Sequence, residues 1–322
     1  MTRHLLVAAL LLGLCTTTEA QNRWDFGVHV GAANYLGDIG GKDGPRRDFI
    51  SDIKIDQSQY AVGAHIRYQA SRSWALTTMF MSGQVKGDDV NTTEYAPRQV
   101  RNLKFRNNLY ELSVRAEFLL FADNDLTNRG YYNPDFKLFG FVGAAGIKHN
   151  PQGYLREGIP GFEEGWYDLR ELRTEAQETE YGEFTLAFPM GIGLYLTYDR
   201  KWRIGWEAGY RLTSTDYLDD ISTVYAREED LSSPLAIALA NQTTVDVAEA
   251  AGEAPGFIYN YHYLPGTAST AANLRGVKSN NDGYVFSTFS FAMLLQKQSG
   301  FSRSRHKWLN GRKKRRKARA KF

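Results

Sequence analysis

Nine ionisable side chains recur at alternate positions of otherwise apolar segments: His29, His65, Arg67, Glu111, Arg115, Glu117, Arg203, Glu207 and Arg211. Gathered in one interior, these guanidinium groups, carboxylates and imidazoles could do one of two things. Hydrated and unpaired, they would line a conduction path or hold a proton. Paired, they would form a hydrogen-bonded plug, which is the expectation for a narrow interior where unpaired charge is very costly. A second group, Asp216, Asp219 and Asp220, offers oxygen ligands to Ca²⁺. Its ligand count is short and its spacing is not that of a calcium loop, so these residues are expected to end a strand and hydrogen-bond the loop that follows. Gly140, Gly143 and Gly146 imitate a phosphate-binding loop but fall inside a strand pattern, where close strand packing accounts for them. Six scattered histidines, of which His4 lies near the start, supply no Ser–His–Asp set. A barrel enzyme using loop His149 or His262 is the minor alternative. No catalytic residue, metal ligand or cofactor is assigned.

The elements that must carry these residues are strands. Period-two alternation, which sends successive side chains to opposite faces, runs clearly through 24–30, 60–68, 110–120, 184–198 and 202–212. Segments 74–85, 136–147 and 284–295 read as strands with less clear facing. Most of these eight exceed the ~5–6 residues usual in soluble sheets and match the ~9–11 that cross a bilayer at a tilt. The connections alternate in length, with long ones at 36–58, 86–107, 148–182 and 216–282. Trp24, Tyr60, Tyr68, Trp74, Tyr110, Tyr198 and Trp202 stand at strand ends, where interface girdles belong. The expectation is an all-β fold: an eight-stranded antiparallel up-and-down transmembrane β-barrel with long extracellular loops and periplasmic termini. An exported soluble sandwich or lipocalin-like barrel is the alternative.

Charge divides the chain. Residues 297–322 carry twelve of the 39 Lys and Arg and none of the 36 Asp and Glu. Setting these aside, with Arg3 and Glu19 of the leader, leaves 26 basic and 35 acidic side chains over 21–296, a net of −9. Residues 1–20 read as a cleaved signal peptide, with Arg3 and His4 before an apolar run at 5–14 and Ala20 before the cut. Cys15 follows Leu14, which is poor for lipidation, and is the single cysteine, so the mature chain offers neither a disulfide nor a thiolate metal site. Residues 21–296 form the barrel, placed in the outer membrane, and 297–322 form a basic periplasmic tail expected to be disordered. Within it, Arg312, Lys313, Lys314, Arg315, Arg316 and Lys317 would suggest nucleic acid in a cytosolic protein. Export removes that partner and leaves docking to an acidic periplasmic surface, or a solvated tail with no partner.

Specific segments also resemble a known family. The runs Leu109-Tyr110-Glu111-Leu112-Ser113-Val114-Arg115-Ala116-Glu117-Phe118 and Ile204-Gly205-Trp206-Glu207-Ala208-Gly209-Tyr210-Arg211 are similar to strands of PorG-like outer-membrane proteins of the Bacteroidetes type IX secretion system. So are Leu138-Phe139-Gly140-Phe141-Val142-Gly143, the loop 166–177, Thr215-Asp216-Tyr217-Leu218-Asp219-Asp220, and Asn280-Asn281-Asp282-Gly283-Tyr284. The resemblance covers about 105–295. It implies a small non-enzymatic barrel that tethers the periplasmic ring proteins PorK and PorN to the outer membrane, with membrane lipid as its other partner and no catalytic residue to transfer. The insertion at 232–272 and the basic tail depart from the family pattern. A generic adhesion or recognition barrel acting through its outer loops is the alternative function.

Overall fold

The computed structural model describes residues 24–39, 55–91, 100–123, 135–199, 201–243, 275–276, 278 and 281–295. The expected leader and basic tail lie outside these residues, as does 244–274 of the last long loop. Among the described residues are strands β1 (Trp24–Leu36), β2 (Gln59–Gln69), β3 (Trp74–Asp88), β4 (Lys104–Asp123), β5 (Asp135–Lys148), β6 (Pro151–Leu155), β7 (Gly165–Asp168), β8 (Phe184–Tyr198), β9 (Trp202–Thr213) and β10 (Gly283–Leu294), and helix α1 (Pro234–Ala240).

Eight of the strands close on themselves. Each of β1–β5 and β8–β10 pairs antiparallel with its neighbours, β3 joins β4, and β1 joins β10, so the sheet has no free edge around the barrel. The register fixes its shape. From Trp24 the paired residues run through Tyr68, Leu76, Ala116, Val142, Met190, Tyr210 and Val285, and return to β1 at Asn34, ten residues along. With eight strands, that stagger sets a tilt of about 40° and a backbone radius of about 8 Å. Short turns lie at the end holding both termini of the barrel. In one, Ser71 Oγ accepts from the amides of Ser73 and Trp74, both at 3.2 Å. In another, Asp199 takes the left-handed φ of 51°.

The opposite end, the mouth, is more elaborate than its sequence suggests. β3 runs on to Asp88 and β4 begins at Lys104, so both ends of the expected 86–107 loop are strand. β4 outruns β5 and pairs its first turn with β6 through Phe105, Arg106 and Asn107, and β6 pairs with β7. Helix α1 is capped by Ser233, whose Oγ accepts from the Ala236 amide at 3.1 Å. Its Leu235 and Leu239 pack with Leu155 and Leu169 in an apolar cluster of their own.

The two barrel faces differ in kind. Outward residues are predominantly apolar and most are large, among them Phe26, Val28, Phe80, Leu112, Ile192, Ile204 and Phe289, the last 65% exposed. No Asp, Glu, Lys or Arg occupies an outward position between Trp24 and Asn34, Gln59 and Tyr68, Trp74 and Gln84, Asn108 and Leu120, Leu138 and Gly146, Phe184 and Tyr198, Trp202 and Leu212, or Val285 and Leu295. At the terminal end Trp24, Tyr68, Trp74, Tyr198 and Trp202 ring this belt; Trp24 and Tyr68 have centroids 4.7 Å apart. Such a continuous apolar surface far exceeds the few hundred Å² that monomers in water leave bare.

Candidate functional site

All nine ionisable residues singled out from the alternation point inward and are buried. A tenth joins them. Asp25 is 1% exposed and supplies the fourth carboxylate, so four arginines face four acids. Its position on the polar side of β1's alternation is the signal that would have found it.

The acids and guanidiniums form pairs along the lumen. Arg115 Nη1 and Nη2 donate to the two oxygens of Glu207 at 2.7 and 2.6 Å, a bidentate pair. Arg211 Nε donates to Glu111 Oε2 at 3.2 Å, and Tyr284 donates to the same oxygen at 2.7 Å. Arg203 pairs with Asp25. Arg67 Nε lies 2.9 Å from Glu117 Oε2, while Thr77 donates to Glu117 Oε1 at 2.5 Å. Each guanidinium also lies over an aromatic face. Arg67 is 5.0 Å from the Tyr195 ring centroid, Arg115 4.4 Å from Phe141, Arg203 4.5 Å from Tyr195 and Arg211 4.6 Å from Phe286.

The imidazoles form a directed chain beside these pairs. His65 Nε2 lies 3.0 Å from Asp25 Oδ1 and therefore donates, since the carboxylate can only accept. That makes His65 Nδ1 the acceptor for His29 Nε2 at 2.6 Å, and leaves His29 Nδ1 to accept from the Thr288 hydroxyl at 3.1 Å. Two neutral rings satisfy every step, and Asp25 sets both tautomers.

These contacts cross the lumen. Tyr284 on β10 reaches Glu111 on β4, and Arg67 on β2 reaches Tyr195 on β8, in each case four strands round an eight-stranded barrel and so diametrically opposed. Toward the mouth the interior becomes apolar, with Met81, Val85, Phe105, Leu109, Ile147 and Phe286 packed beneath Leu218 and Ile221 of the segment after β9. The aromatic faces were hard to read from sequence because β5 and β10 are apolar on both sides: Phe139 and Phe141 point in, Leu138 and Val142 out. Of the three glycines on β5, only Gly143 fits the close-packing expectation. It faces inward, where a Cβ would collide with Val114 and Arg115, whereas one at Gly146 would meet nothing within 4 Å.

Asp216, Asp219 and Asp220 lie in the segment that seals the mouth, and Asp219 and Asp220 take polar partners both from distant loops and from the segment itself. Asp219 accepts from the amides of Ile39 and Ile221 at 3.2 and 3.0 Å. Tyr181 donates to Asp220 at 2.7 Å, and Thr174 also bonds it. Tyr35 donates to Asp282 at 2.6 Å, whose other oxygen takes the Leu218 amide at 3.0 Å. Arg275 donates to Thr174 and to the Asp220 carbonyl at 2.9 and 2.6 Å. Arg101 clasps Asp89 at 2.8 and 2.9 Å and reaches the Asp38 carbonyl at 2.6 Å. Burial and the neighbouring Asp38 charge raise Asp219 to about 7. Burial raises Asp220 to about 6 against the opposing pull of Arg275, and burial together with Asp219 raises Asp282. His149 is buried, which lowers it to about 4 and keeps it neutral, stacked on Tyr181. His262 and the tail residues 312–317 lie outside the described residues. Among the described residues no three His, Cys, Asp or Glu are placed to hold a metal ion.

Comparison with known proteins adds a family and a set of distant likenesses. The chain is similar to the N-terminal β-barrel domain of Pseudomonas aeruginosa OprF, at 9% identity over 85% of this chain and 100% of that one, with a TM-score of 0.30. It is similar to Ail, the attachment invasion locus protein of Yersinia pestis, at 8% identity over 85% and 99%, with a TM-score of 0.33. A third likeness is to the outer membrane protein OprG of Pseudomonas aeruginosa, at 10% identity over 87% and 100%, with a TM-score of 0.35. The comparison with curated proteins gives no match. One family model matches residues 3–241, well over half of the 322 residues, and the chain therefore belongs to the family described as a domain of unknown function, DUF6089.

Proposed function

We propose that the chain is a non-enzymatic β-barrel of the outer membrane, closed to ions, that serves as a scaffold. The observation that carries this reading is the inversion of its two faces: an uncharged apolar exterior around an interior filled by four arginine–carboxylate pairs. Lipid is the solvent that suits such an exterior. The mouth, with the long loops, faces outward, and the short turns and both termini face the periplasm. Purified protein should float with lipid vesicles, migrate differently on gels before and after heating, and pass no current above leak in planar bilayers. A protein that stays dissolved in plain buffer, or conducts steadily, would refute it.

The finer role proposed is anchorage of the periplasmic ring of the type IX secretion machinery, with PorK- and PorN-like proteins as partners. It rests on the strand and loop resemblance and on the basic tail, in particular Arg312, Lys313, Lys314, Arg315, Arg316 and Lys317. Removing residues 297–322 should abolish co-purification of ring proteins from detergent-solubilised envelopes. Undiminished recovery would remove the tail from the interface. A second reading, surface recognition, is favoured by the β6–β7 hairpin and α1, which build a packed apolar cluster outside the barrel. Under it, excising that unit abolishes surface attachment while secretion continues.

A further inference from the structure

Lys86, Lys104 and Arg106 form a cationic group on the outer side of the mouth. Where β3 and β4 continue past the apolar belt, Lys86 lies directly opposite Arg106, and Lys104 lies opposite Asp88. Their sequence neighbours Val85, Phe105 and Asn107 are buried inside the barrel, so alternation turns the three cations outward, and all three keep partial exposure. Like charges facing across a strand pair destabilise a sheet. Among the described residues no carboxylate pairs with either member of the Lys86–Arg106 pair. Lys86 has no acidic partner there, and Asp88 is already shared between Arg156 at 2.6 Å and Lys104 at 3.6 Å.

The guanidinium of Arg106 is fixed in place. Its Nε donates to Gln152 Oε1 at 2.8 Å, and its face lies 4.3 Å from the Trp166 ring centroid, so its terminal amino groups are the donors left for an outside partner. Lys104 sits beside it over Tyr154, 4.8 Å from that ring centroid. Below the cations is one polar row, Gln84 donating to Asn108 at 2.8 Å, then Ser82 and Tyr110, and then the belt at Phe80 and Leu112. At the rise and tilt of this barrel Lys86 and Arg106 stand about 10 Å above Tyr110, the depth at which headgroups surround a membrane-spanning barrel, and Lys104 stands about 15 Å above it, reaching down from the outer edge of that layer.

We infer that Lys86, Lys104 and Arg106 bind the phosphate of an outer-leaflet lipid headgroup, a phosphorylated glycolipid being the occupant that fits both the charge and the depth. The inference rests on the membrane-barrel reading above. A planar guanidinium flanked by two ammonium groups matches a phosphomonoester, whose charge offsets the Lys86–Arg106 repulsion.

The test uses the full mature protein in vesicles containing lipid A or its dephosphorylated form, with bound lipid counted by mass spectrometry. Loss of about fivefold in affinity is expected for each cation removed. R106Q alone should therefore weaken lipid A retention several-fold, and K86Q/K104Q/R106Q should lower it to that of the dephosphorylated lipid. K86R/K104R/R106K should retain lipid A, and K201Q at the opposite end should behave as wild type. Equal retention by wild type and the triple glutamine variant, or of both lipid forms, overturns the inference. Displacement of lipid A by low millimolar inorganic phosphate reassigns the site to free anions and overturns the headgroup assignment. Failure to float with either vesicle is read before any lipid is counted, and overturns the barrel reading itself.

Discussion

Replacing Glu207 with Gln would leave Arg115 in the lumen without its bidentate counter-charge. Removing one member of a buried pair costs about 3–5 kcal/mol, because the remaining ion has lost its solvent and its partner together. Arg115 keeps two lesser contacts, Glu117 at 3.4 Å and the Phe141 face at 4.4 Å, which place the expected cost near the bottom of that range, about 3 kcal/mol. That is roughly a hundredfold in the folded-to-unfolded ratio. The assay is reversible urea unfolding in lipid vesicles, read by tryptophan fluorescence, for wild type, E207Q, R115M and R115M/E207Q. Each single variant should lose about 3 kcal/mol, whereas the double variant, which strands neither ion, should lose much less than the two together. Strict additivity of the two losses would mean that the pair is hydrated or poorly coupled, and the description of a dry, closed lumen would fail with it.

Three further outcomes follow from the same geometry. Arg in place of Leu112 at the middle of the apolar belt should cost about 2–4 kcal/mol of stability in vesicles, while the same change at Asn108 should cost under about 1 kcal/mol; equal costs would contradict a lipid-facing belt. Asp219 and Asp220 bind protons more tightly when buried in the mouth than when unfolded, so the stability of the seal should fall as pH rises from about 4 to about 7. Hydrogen exchange of residues 214–226, corrected for intrinsic rates, should therefore be slower at pH 5 than at pH 8, and the opposite order would refute the assignment. Gly143→Val should destabilise the barrel or block its assembly, since a side chain there meets the Val114 and Arg115 backbone, whereas Gly146→Val, with open space around it, should be tolerated in the same unfolding assay.

Alternation alone made five of the eight barrel strands plain, and with them the charged part of the lumen, for a physical reason: a residue's face in a sheet depends only on its parity along the strand. Where one face is charged and the other oily, as in Glu111 to Phe118 or Arg203 to Arg211, parity is visible and the inward set is named without coordinates. It fades where both faces are apolar, so parity does not mark Phe139, Phe141 and Phe286 as platforms for the arginines. Which arginine meets which acid was beyond the sequence, because that depends on a ten-residue stagger accumulated around eight strand pairs. The mouth was still less legible. Asp282, Tyr35, Asp219 and Ile39 converge from segments far apart in the chain, and no local pattern encodes contacts made by loops. Tertiary structure also turned an expected loop into the paired extensions of β3 and β4, and so set Lys86 against Arg106 across one sheet.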